Sequence, residues 1–337
     1  MARPALAFLT LAVSVVGLLT ASELLLRAAG RTPWKIPYAP RPDDPPIFAP
    51  DPLTGWRSHE GRHVFEPYAP EGAPFTVTIL PAGARATAPR EVEADRELVV
   101  VGGSFAMGWA VSDNETLAWR LQERFPELRV VNWATAGYGT YQSLLVLERE
   151  LPRLRNPELV LYGFTEHHRE RNVATGRWLR LLGLEAHRDL HGLPYVSLGE
   201  RGELVRHPPL LHHPFPLRGV SATAAFAEEL HLAWQSRHRE EGKTRVTRRL
   251  LAAMDRVSAD HGAELAVVLL DLPSGEEASY GRFLGARGIP AIDCVRPLTP
   301  ELQVPGDGHP NGRLHGIWAE CIAEALAEQR LLAPQLG

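Results

Sequence analysis

Cysteine, methionine and net charge are all scarce in this 337-residue chain. Two cysteines, three methionines and 7% aromatic residues are present, and the formal net charge is only −4. So near-neutral a balance leaves no electrostatic footprint for nucleic acid. The two cysteines, Cys294 and Cys321, decide little. Cys321 falls on the apolar side of a helical pattern, where a thiol behaves as a small hydrophobe, and the spacing leaves a disulfide between the two open. The histidine-bearing stretches HRDLH (His187, Asp189, His191) and HPPLLHHPFP have no cysteine nearby and no second ligand set. Gly192 and Pro194 break the helix that a zinc pair at i,i+4 needs, so no metal and no cofactor are expected. No internal repeat or low-complexity tract is present either.

Charge is missing altogether from Ala5 to Ala21, ALAFLTLAVSVVGLLTA. At about 1.5 Å per residue this run nearly spans a bilayer core, with Glu23 and Arg27 near one interface. A buried core helix would show a polar stripe, and none occurs before Glu23. Residues 1–29 therefore read as a transmembrane signal anchor or a signal peptide. The anchor is favoured because no small-x-small site leads at once into a mature segment. Arg3 precedes the run while Arg27, Arg31 and Lys35 follow it, so the charge bias alone does not favour export of what comes after.

Proline, by contrast, is plentiful: 29 residues, many between Pro33 and Pro89. Residues 30–95 are expected to be an extended Pro-rich arm with short strands, laid over the domain. From Glu97 strands and helices alternate. ELVVVGG, LRVVNWA, PELVLYGF, AELAVVLLDLP and GIPAIDC read as five strands, apolar on both faces as in a covered parallel sheet. SDNETLAWRLQERFP reads as a helix opened by a Ser112–Glu115 capping box, and GYGT as a tight turn into the helical YQSLLVLERELPRL. The last helix starts near Asn311 and Gly312. Residues 96–337 thus form one α/β domain, with an insertion at about 170–245 holding a hairpin and a helix from about Ala222 to His238.

Chemistry concentrates at three places. Ser104 follows a strand and two glycines, where ligands of open α/β sheets bind. A serine needs a base, and the base an orienting group. GDGHPNGRLHG offers Asp307 and His309, two apart, which extended backbone would point to the same side. In NWATAGYGTYQ, Gly137, with Gly139 in reserve, can aim a backbone N–H at developing negative charge. Trp109 and Trp133 are read as packing residues rather than sugar platforms.

This order of glycine-serine, glycine and late Asp-His resembles the SGNH (GDSL-like) hydrolases over about residues 95–330. The resemblance implies a three-layer α/β/α, flavodoxin-like fold with a parallel sheet, plus the N-terminal membrane segment. It also implies a Ser104–His309–Asp307 triad with the oxyanion held by the Ser104 and Gly137 amides. The Asp-x-His spacing is similar to that of periplasmic polysaccharide O-acetyltransferases. The apolar segment, Pro-rich arm and LPAGARAT look like those of membrane-anchored bacterial SGNH proteins, which implies an inner-membrane anchor with the domain in the periplasm. Two positions depart from the family pattern. Gly103 stands where Asp is usual, and the third block, GFTEHHRERN, has Thr165 in place of its oxyanion Asn. Thr165, His167, His168 or Asn172 would then have to supply that donor. The implied activity is a serine esterase on acyl esters, such as a carbohydrate O-deacetylase. The alternatives are acetyl transfer to an envelope glycan from a membrane acyl-donor protein, and a silent glycan-binding module.

Overall fold

The computed structural model describes residues 2–35, 44–182 and 192–332. Helix α1 (Ala2–Ala28) carries an apolar stretch from Leu6 to Ala28 of mean hydropathy 2.0, with none of its most apolar window buried against the rest of the chain. Two hairpins follow, β1 (Phe48–Asp51) with β2 (Gly55–Ser58) and β3 (Gly61–Phe65) with β4 (Phe75–Ile79). The α/β domain then runs through β5 (Glu97–Gly102), α2 (Ser104–Met107), α3 (Leu117–Arg124), β6 (Arg129–Asn132), α4 (Thr140–Glu150) and β7 (Pro157–Thr165). After β7 come α5 (His167–Asn172), α6 (Gly176–Leu182) and the hairpin β8 (Leu193–Leu198) with β9 (Leu204–Leu210). The chain closes with α7 (Ala222–Glu241), α8 (Lys243–Asp260), β10 (Glu264–Asp271), α9 (Glu276–Gly285), β11 (Ala291–Asp293) and α10 (Gly312–Glu328).

The central sheet is parallel throughout, in the order β11-β10-β7-β5-β6. Numbered by appearance in the domain, that is the flavodoxin-like order 2-1-3-4-5 reversed, with its switch point between β5 and β7. Alternation divides each strand between two cores. Val99 and Val101, Val160 and Tyr162, and Val267 and Leu269 face α4, α8 and α9. Leu98 and Val100, Leu159 and Leu161, and Ala266 and Val268 face α3 and α10. Strands apolar on both faces are what a sheet covered by helices on both sides requires. The three-layer α/β/α fold expected from the sequence is the one observed.

The arm hairpin β3–β4 closes one sheet edge. Arg85 bridges Ile79 on one side and Asn132 of edge strand β6 on the other, covering groups that would otherwise stay open. Helix α8, which the sequence reading passes over, supplies the crossover into β10. The Ser112–Glu115 capping box forms, but its first turn is a 3-10 turn and α3 itself starts at Leu117, capped by Thr116. Cys321 is not a free apolar thiol, since it is bonded to Cys294 beside β11. The HRDLH stretch lies outside the described residues.

Candidate active site

Strand β5 ends at the switch point with Gly102, whose φ is +152°. A Cβ there would come within 2.8 Å of the Gly163 carbonyl oxygen, so β5 and β7 can close up only around a glycine. At Gly103 a Cβ would lie 2.6 Å from His168 Nε2 and 3.1 Å from an Arg171 nitrogen. An aspartate there would require the His168 ring and the Arg171 guanidinium to shift. Ser104 opens α2 and is 7% exposed. As the first helical residue it has an N–H with no intrahelical acceptor.

Arg85, from the LPAGARAT stretch, fixes the turn that leaves α2. Its buried guanidinium donates to the carbonyls of Met107, Gly108 and Val111 and to the Asp113 carboxylate. Burial pulls its pKa down and Asp113 pulls it back. Sequence reasoning noticed that stretch only as a family mark. The usable signal was an arginine within an otherwise small, apolar run.

The second piece is the loop between β11 and α10. The Val304 carbonyl accepts from the N–H of both Asp307 and Gly308, and Val304 N–H donates to the His309 carbonyl. Gly306 and Gly308 take φ of +78° and +88°. Asp307 and His309 therefore converge through a left-handed glycine turn, not through the extended backbone expected. Asn311 accepts from Arg313 and Leu314 N–H to start α10.

The two pieces meet. His309 Nε2 lies 3.0 Å from Ser104 Oγ, and His309 Nδ1 lies 2.6 Å from Asp307 Oδ1. The same carboxylate oxygen accepts from His309 N–H at 3.1 Å. Burial works to raise the Asp307 pKa, but hydrogen bonds from the His309 ring, its N–H and the Trp109 indole outweigh it and hold the carboxyl below its ordinary value. The Phe105 ring meets the imidazole edge-on at 5.8 Å. Trp109 packs among Phe48, Phe65 and Phe75, so its ring is a core group and its indole N–H a support for Asp307.

Gly137, at φ +84°, lies in the turn closed by Tyr138 N–H to the Thr135 carbonyl. Among the described residues its own N–H has no protein acceptor. Trp56 and Trp178 flank it. Gly139 instead caps α4, and its N–H donates to Gln142. Thr165 ends β7 and is buried, and His167 is exposed just beyond it.

Two sequence candidates turn into the core, and one of them is fully engaged there. Asn172 accepts from Tyr141 N–H and spends both amide hydrogens on Thr140 and Thr247. His168 is wholly buried and kept neutral by desolvation, with Nδ1 2.6 Å from the Tyr162 hydroxyl, while its Nε2 has no partner among the described residues and lies beside Gly103. Both side chains turn inward because α5 begins at once after β7 and packs on α4 and α8.

No family model matches the chain, and no curated protein does. Among solved structures it is similar to TesA, at 16% identity over 70% of this chain and 99% of that one, with a TM-score of 0.39. A lipolytic G-D-S-L family member from Veillonella parvula is similar at 10% identity over 69% and 98%, with a TM-score of 0.41. The esterase EstA from Pseudoalteromonas sp. is similar at 11% identity over 69% and 98%, with a TM-score of 0.39. Sheet order and the placement of the Ser, Gly and Asp-x-His blocks along it, taken by themselves, give the chain an SGNH-like fold.

Proposed function

We propose that the chain is a membrane-anchored serine esterase that cleaves acyl esters, with acetylated carbohydrate as its substrate class. The observation that carries this is the continuous line Ser104 Oγ, His309 ring, Asp307 carboxylate at 3.0 and 2.6 Å. The resemblance to SGNH hydrolases supports the same reading.

In the proposed reaction His309 Nε2 takes the Ser104 proton as Oγ bonds to the ester carbonyl carbon. Asp307, held ionised, keeps the Nδ1–H pointing at itself and balances the imidazolium that forms. The carbonyl oxygen becomes an oxyanion and accepts from the N–H groups of Ser104 and Gly137. His309 then returns the proton to the departing alkoxide, leaving acyl-Ser104. A water molecule repeats the sequence and frees the acid. With Asn172 committed elsewhere, the third donor falls to Thr165, whose short hydroxyl replaces a carboxamide. A lost oxyanion donor costs on the order of 10²–10³ in rate, so a slow, specialised esterase is expected.

The anchor is α1, long and apolar enough to cross a membrane. The Cys294–Cys321 disulfide supports an oxidising compartment for the domain, which outweighs the charge bias around α1. The test is turnover of p-nitrophenyl acetate and of acetylated glycan by the full chain in vesicles, beside Ser104→Ala and His309→Ala. Loss of turnover in both variants supports the reading. Equal rates in all three overturn it, and a gain of glycan-bound acetyl that depends on Ser104 would replace hydrolysis by transfer.

A further inference from the structure

The apolar helix α1 holds one acidic residue, Glu23, and that carboxylate is fully engaged. Its oxygens accept from Ala222 N–H at 2.9 Å, Thr223 N–H at 2.9 Å and the Ser221 hydroxyl at 2.8 Å. These are the first donors of α7, which a helix start leaves without intrahelical partners. Other contacts join the same two elements. Ser22 Oγ lies 3.0 Å from Thr223 Oγ1, and Arg27 donates both to Glu23 and to the Val220 carbonyl. Arg31 reaches Glu229 at 3.4 Å and lies over the Phe226 ring. Just beyond α1, Trp34 N–H donates to the Arg218 carbonyl, and the Arg218 guanidinium covers the Trp34 ring at 4.3 Å. An acidic residue in an apolar span is costly unless it has a specific partner, and here the partner is the domain itself.

The residues that meet set the level of this joint. The uncharged run from Ala5 to Ala21 covers about 25 Å of helix, close to a bilayer core of about 30 Å. Glu23 then stands at the headgroup level, and so must Ser221–Thr223. Ser22 meets Thr223 while Arg31 meets Phe226 and Glu229, so α7 climbs away from the bilayer beside the end of α1. The loop before α7 starts at that level: the Val220 carbonyl accepts from Arg27 and the Leu217 carbonyl from the Val220 and Ser221 N–H groups, while the Arg218 side chain turns back along α7 to Glu228. The loop exposes Leu217 (69%) and Val220 (68%). Leu217 also takes φ +64°, a conformation suited to glycine or asparagine.

We propose that the Leu217–Val220 loop is a lipid-contacting surface, and that Glu23 pins it into the bilayer interface so that the domain is seated on the membrane rather than tethered above it. This rests on the reading of α1 as a retained anchor. The occupant is lipid because the apolar residues lie where an apolar helix enters the domain.

The test uses the full chain in phosphatidylcholine/phosphatidylglycerol vesicles, with an NBD fluorophore on Leu217→Cys, Val220→Cys or, as a control, Glu324→Cys on the exposed face of α10. Blue-shifted emission and quenching by doxyl-labelled lipid at 217 and 220, absent at 324, are expected. Adding Glu23→Leu should abolish the shift at 217 while the chain still resists carbonate extraction. Leu217→Ser/Val220→Ser, which leaves the Glu23 cap intact, should keep esterase turnover and carbonate resistance in the full chain. Unshifted emission at 217 and 220 in a carbonate-resistant chain overturns the seating and leaves the anchor. Extraction of the wild-type chain by carbonate overturns both.

Discussion

Two polar clusters lie past the carboxyl ends of neighbouring central strands and are built on opposite principles. One gathers Ser104, Asp307 and His309 from glycine-rich turns; the other follows β7 as Thr165–Asn172. In the first, turns bring the side chains together and leave the Ser104 hydroxyl with one partner among the described residues, His309. In the second, α5 starts directly after the strand and rolls His168 and Asn172 under the domain. There they join α4 and α8 through Thr140, Tyr162 and Thr247. Polar residues at a strand end therefore mark a site only if the backbone that follows keeps them out of the core.

The comparison is broken most directly by exchanging what each cluster loses. Ser104→Ala is expected to lower kcat for p-nitrophenyl acetate by on the order of 10⁴ or more, with thermal stability nearly unchanged. Asn172→Ala should do the reverse. It leaves Tyr141 N–H and two threonine hydroxyls short of a buried partner, for a loss of about 2–4 kcal/mol in denaturant unfolding. Activity per folded molecule should fall only a few-fold. If Asn172→Ala instead removed activity from a stable protein, the two clusters would be one site.

The sheet and three residues of the first cluster were legible in the sequence for physical reasons. Runs such as ELVVVGG are apolar on both faces only where helices cover both sides, and glycines before a serine announce a bend. The second cluster was not legible, because Thr165, His167, His168 and Asn172 look alike in sequence. Only the turn of α5 separates those that face inward. Arg85 was missed because its partners are carbonyls of a distant turn, which no spacing rule connects to it. The convergence of Asp307 with His309 was anticipated for the wrong reason, since alternation in a strand and a left-handed turn at Gly308 bring the same pair together.

That distinction yields a smaller, sharper pair of effects. Gly308 has φ +88° and open space around a notional Cβ, so Gly308→Ala costs only conformational strain of about 1–2 kcal/mol. Because the strain falls between Asp307 and His309, a roughly ten- to hundredfold loss of kcat is expected with KM little changed. Gly306→Ala meets a different obstacle, the Tyr68 carbonyl oxygen at 2.6 Å from its Cβ. It should loosen the arm from the loop and raise protease sensitivity near Tyr68 along with lowering kcat. An extended Asp-x-His segment would tolerate alanine at 308 without either effect, and full activity of Gly308→Ala would favour that arrangement.

Each cluster also buries one neutral histidine, and these give the smallest and most specific test. His315 lies behind the triad, wholly buried, with its ring edge-on to Trp318. Burial first, then the charges of Arg85, Arg120 and His309, push its pKa from 6.5 down to about 3. His168 is displaced the same way by burial, Arg171 and His167. A histidine with a depressed folded-state pKa binds its proton more readily in the unfolded chain. Its contribution to stability is therefore complete above about 6.5 and is lost as pH falls through the window toward 3. Thermal unfolding between pH 7 and pH 4 should show Tm falling with acid in the wild type. His315→Gln should start from a lower Tm and flatten that dependence, since the glutamine has no proton to gain. A variant as steep as the wild type would remove His315 as the source of the acid sensitivity and turn the same test to His168→Gln under the β7 cluster.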